Sequence, residues 1–276
     1  MKFSFSSISL FFSILIFSSA IISCNDNDEP TIDPETTGSI RIDFDNVVGD
    51  RDLKLNSGIY ENATGESFTV STLNYYVSNI KLLKVDGSSF TIPKDSSYFL
   101  IRESNETSQE VTLNNVPAAE YTGIEFVIGV DSLKSIADAS NRTGILDPLS
   151  GPTNEEAMYW DWNPGYIFLK MEGTSAAATS PNSKFYYHIG GFGGRTEKTL
   201  NNIRNVKVDF GNGKAIVTKD LRPEVHLMAD VLKIFDGSTK LSIAANSMVM
   251  FTDYSKNIAS NYVNMFSLDH IHADSE

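Results

Sequence analysis

The chain has 276 residues, of which 41% are hydrophobic and 21% charged, and this composition is typical of a globular protein. Its 22 Lys and Arg against 35 Asp and Glu give a formal net charge of −13, which argues against a nucleic-acid partner. A single Cys excludes an internal disulfide and the Cys-based zinc and iron–sulfur frameworks.

The N-terminal segment 1–23 has the pattern of a signal peptide. Lys2 precedes an apolar, Ser-rich run over residues 8–17, which is too short for a membrane span. The run ends in Ile21-Ile22-Ser23-Cys24, which resembles a bacterial lipobox. We therefore predict that cleavage leaves Cys24 at the N-terminus, where a lipid anchors the protein to a membrane of the cell envelope. The expected location is the outer membrane, with the body periplasmic or surface-exposed.

Residues 24–37 are polar and acidic and include two Pro, which predicts a flexible tether. An acidic run after the lipidated Cys is like the surface-export signal of some Gram-negative lipoproteins. A generic solvated spacer is the equally good alternative.

The body, residues 38–276, alternates polar and apolar residues with the period of two that is typical of half-buried strands. Turn residues separate the strand candidates, and no Pro/Gly-rich linker divides them. The pattern predicts a mostly β protein, a single antiparallel sandwich or barrel-like domain with one or two short helices. The helix candidates are 132–139 and, more ambiguously, 244–261. The strand candidates are 39–44, 68–71, 75–82, 90–92, 98–102, 109–113, 123–130, 166–172, 185–189, 206–210, 215–218, 225–234 and 241–243.

The segment 158–173 has an unusual density of aromatic residues. It contains both tryptophans of the chain, Trp160 and Trp162, together with Met158 and Met171. An aromatic plug in the core is the simplest interpretation. A binding or redox site and a platform that stacks sugar rings are the functional alternatives.

Any imidazole site must use the four histidines. His188 and His226 each stand in a strand candidate, where a structural role is the simplest interpretation. The glycines at 190–194 do not match a dinucleotide-binding motif, and no crossover helix follows them. His270 and His272 lie two apart near the C-terminus and would face the same side of an extended chain. Such a pair can bind Cu(II), Ni(II) or Zn(II) but is weak alone, so we expect a solvated tail.

Enzyme motifs are missing from the sequence. It has no nucleophile elbow, HExxH motif or P-loop, and its many acids are not paired by any motif. An envelope hydrolase is therefore a weak hypothesis.

Several motifs taken in order resemble the MbnP-like copper-binding family, whose members are periplasmic or lipid-anchored partners of di-haem MbnH-type enzymes. The most specific part is Met-x-Trp-x-Trp followed by Gly-Tyr-x-Phe. The motifs are Leu73–Ile80 with the turn at Asp86-Gly87, Tyr121–Ile128 followed by Gly129–Ser132, Leu146–Leu149, Met158–Trp162, Gly165–Lys170 and His188–Gly191.

The resemblance implies a copper-binding β protein and not a catalyst. In the family, a di-haem, peroxidase-like partner can oxidise a Trp to kynurenine, and here Trp160 or Trp162 would be that residue. His188 would supply an imidazole ligand and His226 a second one. Met158 could serve Cu(I) as a soft thioether, as could Met171, although Met more often fills a core.

Two departures from the family pattern concern metal ligands. The four body cysteines of many relatives are missing, and Ser132-Leu133-Lys134 replaces the Asn-His pair after the Gly-Val turn. The prediction is therefore a lipid-anchored protein for copper acquisition or handling. A surface module that binds glycans or proteins is the alternative.

Overall fold

The computed structural model describes residues 30–148, 157–160 and 165–275, and Thr31–Glu276 form one compact unit. Strands dominate the described residues and helices are few, so the expected mostly β fold is confirmed. The strands are β1 (Thr37–Val48), β2 (Arg51–Asp52), β3 (Tyr60–Glu61), β4 (Ser67–Lys84), β5 (Ser89–Thr91), β6 (Tyr98–Arg102), β7 (Glu110–Pro117), β8 (Ala119–Ile128), β9 (Ile167–Thr174), β10 (Lys184–Gly190), β11 (Arg204–Asp209), β12 (Ala215–Val217), β13 (Leu221–Asp230), β14 (Met248–Val249) and β15 (Phe266–Ser275).

Short helices join some of these strands. The α-helices are α1 (Ser132–Ile136), α2 (Leu232–Phe235) and α3 (Ser255–Tyr262). The 3-10 turns are Lys94–Ser96, Glu106–Ser108, Ala139–Asn141, Gly144–Leu146, Pro181–Ser183 and Val263–Met265. Both predicted helical regions thus contain a helix, each shorter than expected.

The strands form two sheets. In the five-stranded sheet the order is β15-β13-β1-β2, with β7 also paired to β1. In the ten-stranded sheet the order is β11-β8-β4-β9-β10-β14, with β12 paired to β8 and with β3, β5 and β6 paired to β4. Most pairings are antiparallel as expected, but β1 pairs with β13 and β10 with β14 in parallel.

The main core lies between the sheets and follows from the alternation along the strands. On β1, Ile40, Ile42 and Phe44 are wholly buried, whereas the residues between them point outward. The ring of Phe44 contacts Phe126 and Phe266 edge-on, with centroids 5.8 and 6.3 Å apart. Because these three rings come from β1, β8 and β15, the core holds the sheets together across long stretches of sequence.

Three predicted elements near the C-terminus are wrong. The strand expected over 241–243 is absent, since these described residues lie in the loop between α2 and β14. The strand expected over 225–234 ends at Asp230, and Leu232–Phe235 is helix α2. The Asp230 carboxylate accepts hydrogen bonds from the backbone N–H groups of Leu232 and Gly49, which stabilises the turn into this helix. The expected solvated tail is instead strand β15 at the edge of the five-stranded sheet.

No helix among the described residues is long and apolar enough to cross a membrane.

Candidate metal centres

The described residues of the aromatic segment build a second buried cluster on the face of the ten-stranded sheet that is turned away from the main core. On β9, Leu169 and Met171 point into the main core. The alternate residue Phe168 belongs to a second buried cluster that also contains Met158 and Tyr166. Met171 is therefore on the opposite side of the strand from this cluster.

Met158 and Trp160 are held by a tight pairing of the segment with the start of β9. The N–H of Trp160 donates to the carbonyl of Gly165 at 2.8 Å, and the N–H of Ile167 donates to the carbonyl of Met158 at 2.9 Å. Met158 is buried and Trp160 is partly buried against the second cluster. The predicted site residues Trp162 and Cys24 lie outside the described residues.

The indole of Trp160 lies over Gly190 of β10, two residues after His188. A Cβ atom placed on Gly190 would be 2.8 Å from the Cζ3 atom of this indole. Glycine is therefore required there for the ring to approach the strand so closely. The Trp160 indole therefore packs against β10 two residues from His188, and a metal site shared by these two residues stays a prediction.

His188 contacts the carboxylate of Glu172 on this outer face of the ten-stranded sheet. Its Nε2 lies 2.7 Å from Oε1 of Glu172, and Lys170 Nζ lies 3.5 Å from the same oxygen. Burial would raise the pKa of Glu172, but the hydrogen bond from His188 and the charge of Lys170 hold it below its ordinary value. Since Nε2 is engaged, Nδ1 is the ring nitrogen of His188 that remains for a ligand.

His226 is not near His188 but on the outer face of the other sheet. It stands on β13, where it is paired with Asp43 of β1 on one side and with His270 of β15 on the other. Two residues before His226 on the same strand, Glu224 is paired with His272 of β15. One metal ion therefore cannot use both His188 and His226.

Three imidazoles meet on this face. The rings of His226 and His270 stack, with centroids 4.2 Å apart and an interplanar angle of 12°. The Nε2 atoms of His270 and His272 are 2.9 Å apart. One ring nitrogen from each of the three lies within 4.8 Å of the other two. We call His226, His270 and His272 the three-histidine cluster.

Carboxylates surround the three-histidine cluster. Asp43 Oδ2 lies 3.2 Å from His226 Nδ1, and Asp269 Oδ2 lies 2.8 Å from His270 Nδ1. Burial raises the pKa of Asp43, and the neighbouring His226 opposes that rise. The cluster thus has negative groups on the Nδ1 side of two of its rings.

Glu224 lies beside the three-histidine cluster and forms a partly buried ion pair with Arg41. Burial would raise the pKa of Glu224, but the hydrogen bond that Arg41 donates to its Oε2, with His226 and His272 nearby, holds it below its ordinary value. Its other oxygen, Oε1, lies 3.3 Å from Nε2 of His226.

Sequence reasoning identified His226 singly and the His270/His272 pair separately, but not their meeting. The His-x-His spacing was the available signal, together with one further His in a strand. The three histidines come together because β13 pairs with β15.

The comparisons with known proteins agree with this architecture. The MbnP family model matches residues 37–251, which include Trp160, His188 and His226 but not His270 or His272. The solved structure of MbnP from Methylosinus trichosporium superposes with a TM-score of 0.50 at 16% sequence identity, covering 79% of this chain and 82% of that one. No curated protein sequence matches the chain. Because the family model spans most of its length, the chain belongs to the MbnP family.

Proposed function

We propose that this protein binds copper in the cell envelope, in copper acquisition or handling, and is anchored by a lipid on Cys24. The observation that supports copper binding is that the Trp160 indole packs over Gly190, two residues after His188 on β10, in a chain of the MbnP family. On this proposal the protein is a binding partner of an enzyme and not an enzyme.

The chemistry of the donors explains why a tryptophan would need processing. His188 offers its Nδ1 nitrogen, which suits Cu(II), while Glu172 contacts Nε2 and orients the ring. An intact indole has an N–H donor and no in-plane lone pair, so Trp160 is not a ligand as it stands. Cleavage of the indole C2–C3 bond by peroxide would add two oxygen atoms, each from one hydrogen peroxide that leaves as water, and hydrolysis would then release one carbon as formate. The resulting kynurenine has an arylamine and a ketone that can coordinate. A di-haem, peroxidase-like partner enzyme would activate the peroxide for this oxidation.

Met158 is a weaker member of this proposed site. Its side chain is buried in the second cluster, 5% exposed, so its thioether serves packing in the present arrangement. We propose it as a Cu(I) ligand only if the segment shifts on modification. Trp162 remains proposed as the alternative oxidised position.

The test is peptide mass spectrometry and copper analysis on protein purified from its own host. We expect copper together with a peptide of residues 158–170 that has the mass of the kynurenine form. His188→Ala should lose that copper, whereas Tyr186→Phe, on the same strand, should keep it. Copper that is equally bound by His188→Ala would refute the site.

The anchor is tested by membrane fractionation. Cys24→Ala should move the protein from the membrane to the soluble envelope fraction, and Asn25→Ala should leave it with the membrane. Unchanged partitioning of Cys24→Ala would contradict lipidation. If the protein has neither copper nor a modified Trp, the surface glycan- or protein-binding module becomes the better hypothesis, and binding to a glycan array would test it.

A further inference from the structure

We infer that the three-histidine cluster on the five-stranded sheet is a second metal site, selective for late first-row divalent ions. This site is separate from the proposed copper site at His188, because the two lie on the outer faces of different sheets. His270 and His272 also lie beyond residues 37–251, so the match to the family model does not imply the site.

The spacing of the donor atoms fits one ion. With metal–nitrogen bonds of about 2.0–2.1 Å, two ligands are about 2.9 Å apart at a right angle and about 3.4 Å apart at the tetrahedral angle. The Nε2 atoms of His270 and His272 are 2.9 Å apart, and Nε2 of His226 lies 3.3 Å from Oε1 of Glu224. These two pairs of donor atoms are therefore at separations that neighbouring ligands of a single ion adopt, and one ring nitrogen from each of the three histidines lies within 4.8 Å of the other two.

The Nδ1 atoms of two rings face carboxylates, as in many metal sites. A metal-bound imidazole commonly donates its second N–H to a carboxylate, which fixes the orientation of the ring. Asp43 takes this position for His226 and Asp269 for His270. In both rings, the nitrogen left for a metal is Nε2.

Without a metal, this cluster is incompletely satisfied. Nε2 of His226 is buried and makes no hydrogen bond. The 2.9 Å contact between His270 and His272 requires that one of the two Nε2 atoms has no proton, because two facing N–H groups repel. A divalent ion would satisfy all three nitrogens together.

The donor set also indicates the class of ion. Three imidazoles with one carboxylate suit Cu²⁺, Ni²⁺ and Zn²⁺, whereas Mg²⁺ and Ca²⁺ prefer oxygen ligands. Glu224 and Asp43 supply the negative charge that compensates a dication. We expect Cu²⁺ to bind more tightly than Zn²⁺, in line with the general order of stability.

The experiment is a metal titration of the full chain, purified without a polyhistidine tag and stripped with a chelator. Cu²⁺ and Zn²⁺ are the probes, isothermal calorimetry gives stoichiometry and affinity, and electron paramagnetic resonance detects imidazole nitrogens on Cu²⁺. The variants are the double substitution His270→Ala/His272→Ala and the single substitution Asp43→Asn. Ser267→Ala, at an exposed position of the same strand, is the matched control, and His188→Ala removes the separate copper site proposed at His188. Circular dichroism of the metal-free proteins checks that each variant folds.

We expect the double variant to lose one equivalent of Cu²⁺ and the matching nitrogen signal, while Ser267→Ala retains both. Asp43→Asn should keep the stoichiometry and weaken binding about 10- to 100-fold, as is typical when an orienting carboxylate is lost. Unchanged Cu²⁺ stoichiometry and affinity in a folded double variant would overturn the inference. Loss of copper only in His188→Ala would do the same while leaving the proposed function intact.

Discussion

Glu66 lies at the start of β4 and ties this strand to the loop after α2. Its carboxylate accepts hydrogen bonds from Asn62 Nδ2 at 2.7 Å and Ser242 Oγ at 2.7 Å. The backbone N–H groups of Ile243 and Ala244 donate to it at 2.6 and 3.0 Å. We predict that Glu66→Gln destabilises the protein at neutral pH, because an amide NH₂ group cannot accept these hydrogen bonds.

The magnitude follows from the pKa of the carboxyl. Burial alone would raise the pKa of Glu66, but the four hydrogen bonds lower it from 4.5 to about 2. A shift of this size corresponds to a ceiling of about 3 kcal/mol at neutral pH. Since the side chain is partly exposed, solvent screening reduces the expected loss to about 1–2 kcal/mol.

The sign of the pH dependence is fixed by the lowered pKa. The stabilisation is complete above pH 4.5, where the unfolded chain is also ionised, and it disappears as the pH falls towards 2. The difference in free energy of unfolding between wild type and Glu66→Gln should therefore be largest at neutral pH and shrink between pH 4.5 and 2. Urea unfolding at several pH values measures it, with Glu61→Gln on an exposed strand position as the control. A difference that is zero at pH 7, or independent of pH, would refute the reasoning.

Two further changes test the fold near the sites. Burial raises the pKa of Glu103 to about 7, so the folded protein loses stability as the pH rises from 4.5 to 7. The variant Glu103→Gln can still accept the hydrogen bond from Asn46. In urea unfolding it should be more stable than wild type by about 1–3 kcal/mol at pH 8, with no such gain at pH 4. Gly190→Ala should cost about 1–3 kcal/mol, because its Cβ would lie 2.4 Å from the backbone oxygen of Tyr166 and 2.8 Å from the Trp160 indole. Thermal unfolding and tryptophan fluorescence measure this second change, and an unchanged melting temperature would contradict it.

Strand positions with strict alternation could be predicted from the sequence. The run over residues 39–44 predicts β1, and its buried and exposed residues alternate as expected. The predicted strands at 68–71 and 75–82 are parts of one continuous strand, β4, which also includes residues 72–74. Local pattern is sufficient for β1 because it has one buried and one outward face over residues 39–44, whereas β4 is buried on both faces over residues 73–78.

Strand β15 could not be predicted in the same way because its alternation is interrupted. Phe266 and Leu268 follow a period of two, but the pairing with β13 shifts by one residue after Leu268, and Asp269 is the extra residue. The apolar residue Ile271 then follows Leu268 by three positions. The sequence pattern consequently loses its phase at the point where the histidines begin, and a tail is the natural misinterpretation.

The candidate metal centres could be predicted only in part from the sequence, because one of them depends on the register between two strands. The family motifs that contain Trp160 and His188 meet where the Trp160 indole packs over Gly190, so the order of motifs along the chain is informative. The three-histidine cluster depends instead on register between β13 and β15, and His226 and His270 are far apart in sequence. A bulge displaced by one residue would turn the imidazoles away from His226.

Strand β15 contributes residues to both the core and the three-histidine cluster. The choice between truncation and point substitution therefore determines whether an experiment can separate metal binding from folding. Phe266 of β15 packs against Phe126 with ring centroids 5.0 Å apart, so removing the strand would damage the core together with any metal site. His270 and His272 are exposed on the outer face, where substitution removes a ligand and little packing. Point substitutions at these two positions therefore separate metal binding from folding, whereas truncation before Phe266 cannot. The edge strand that closes the five-stranded sheet is thereby also the element that brings two of the three imidazoles to His226.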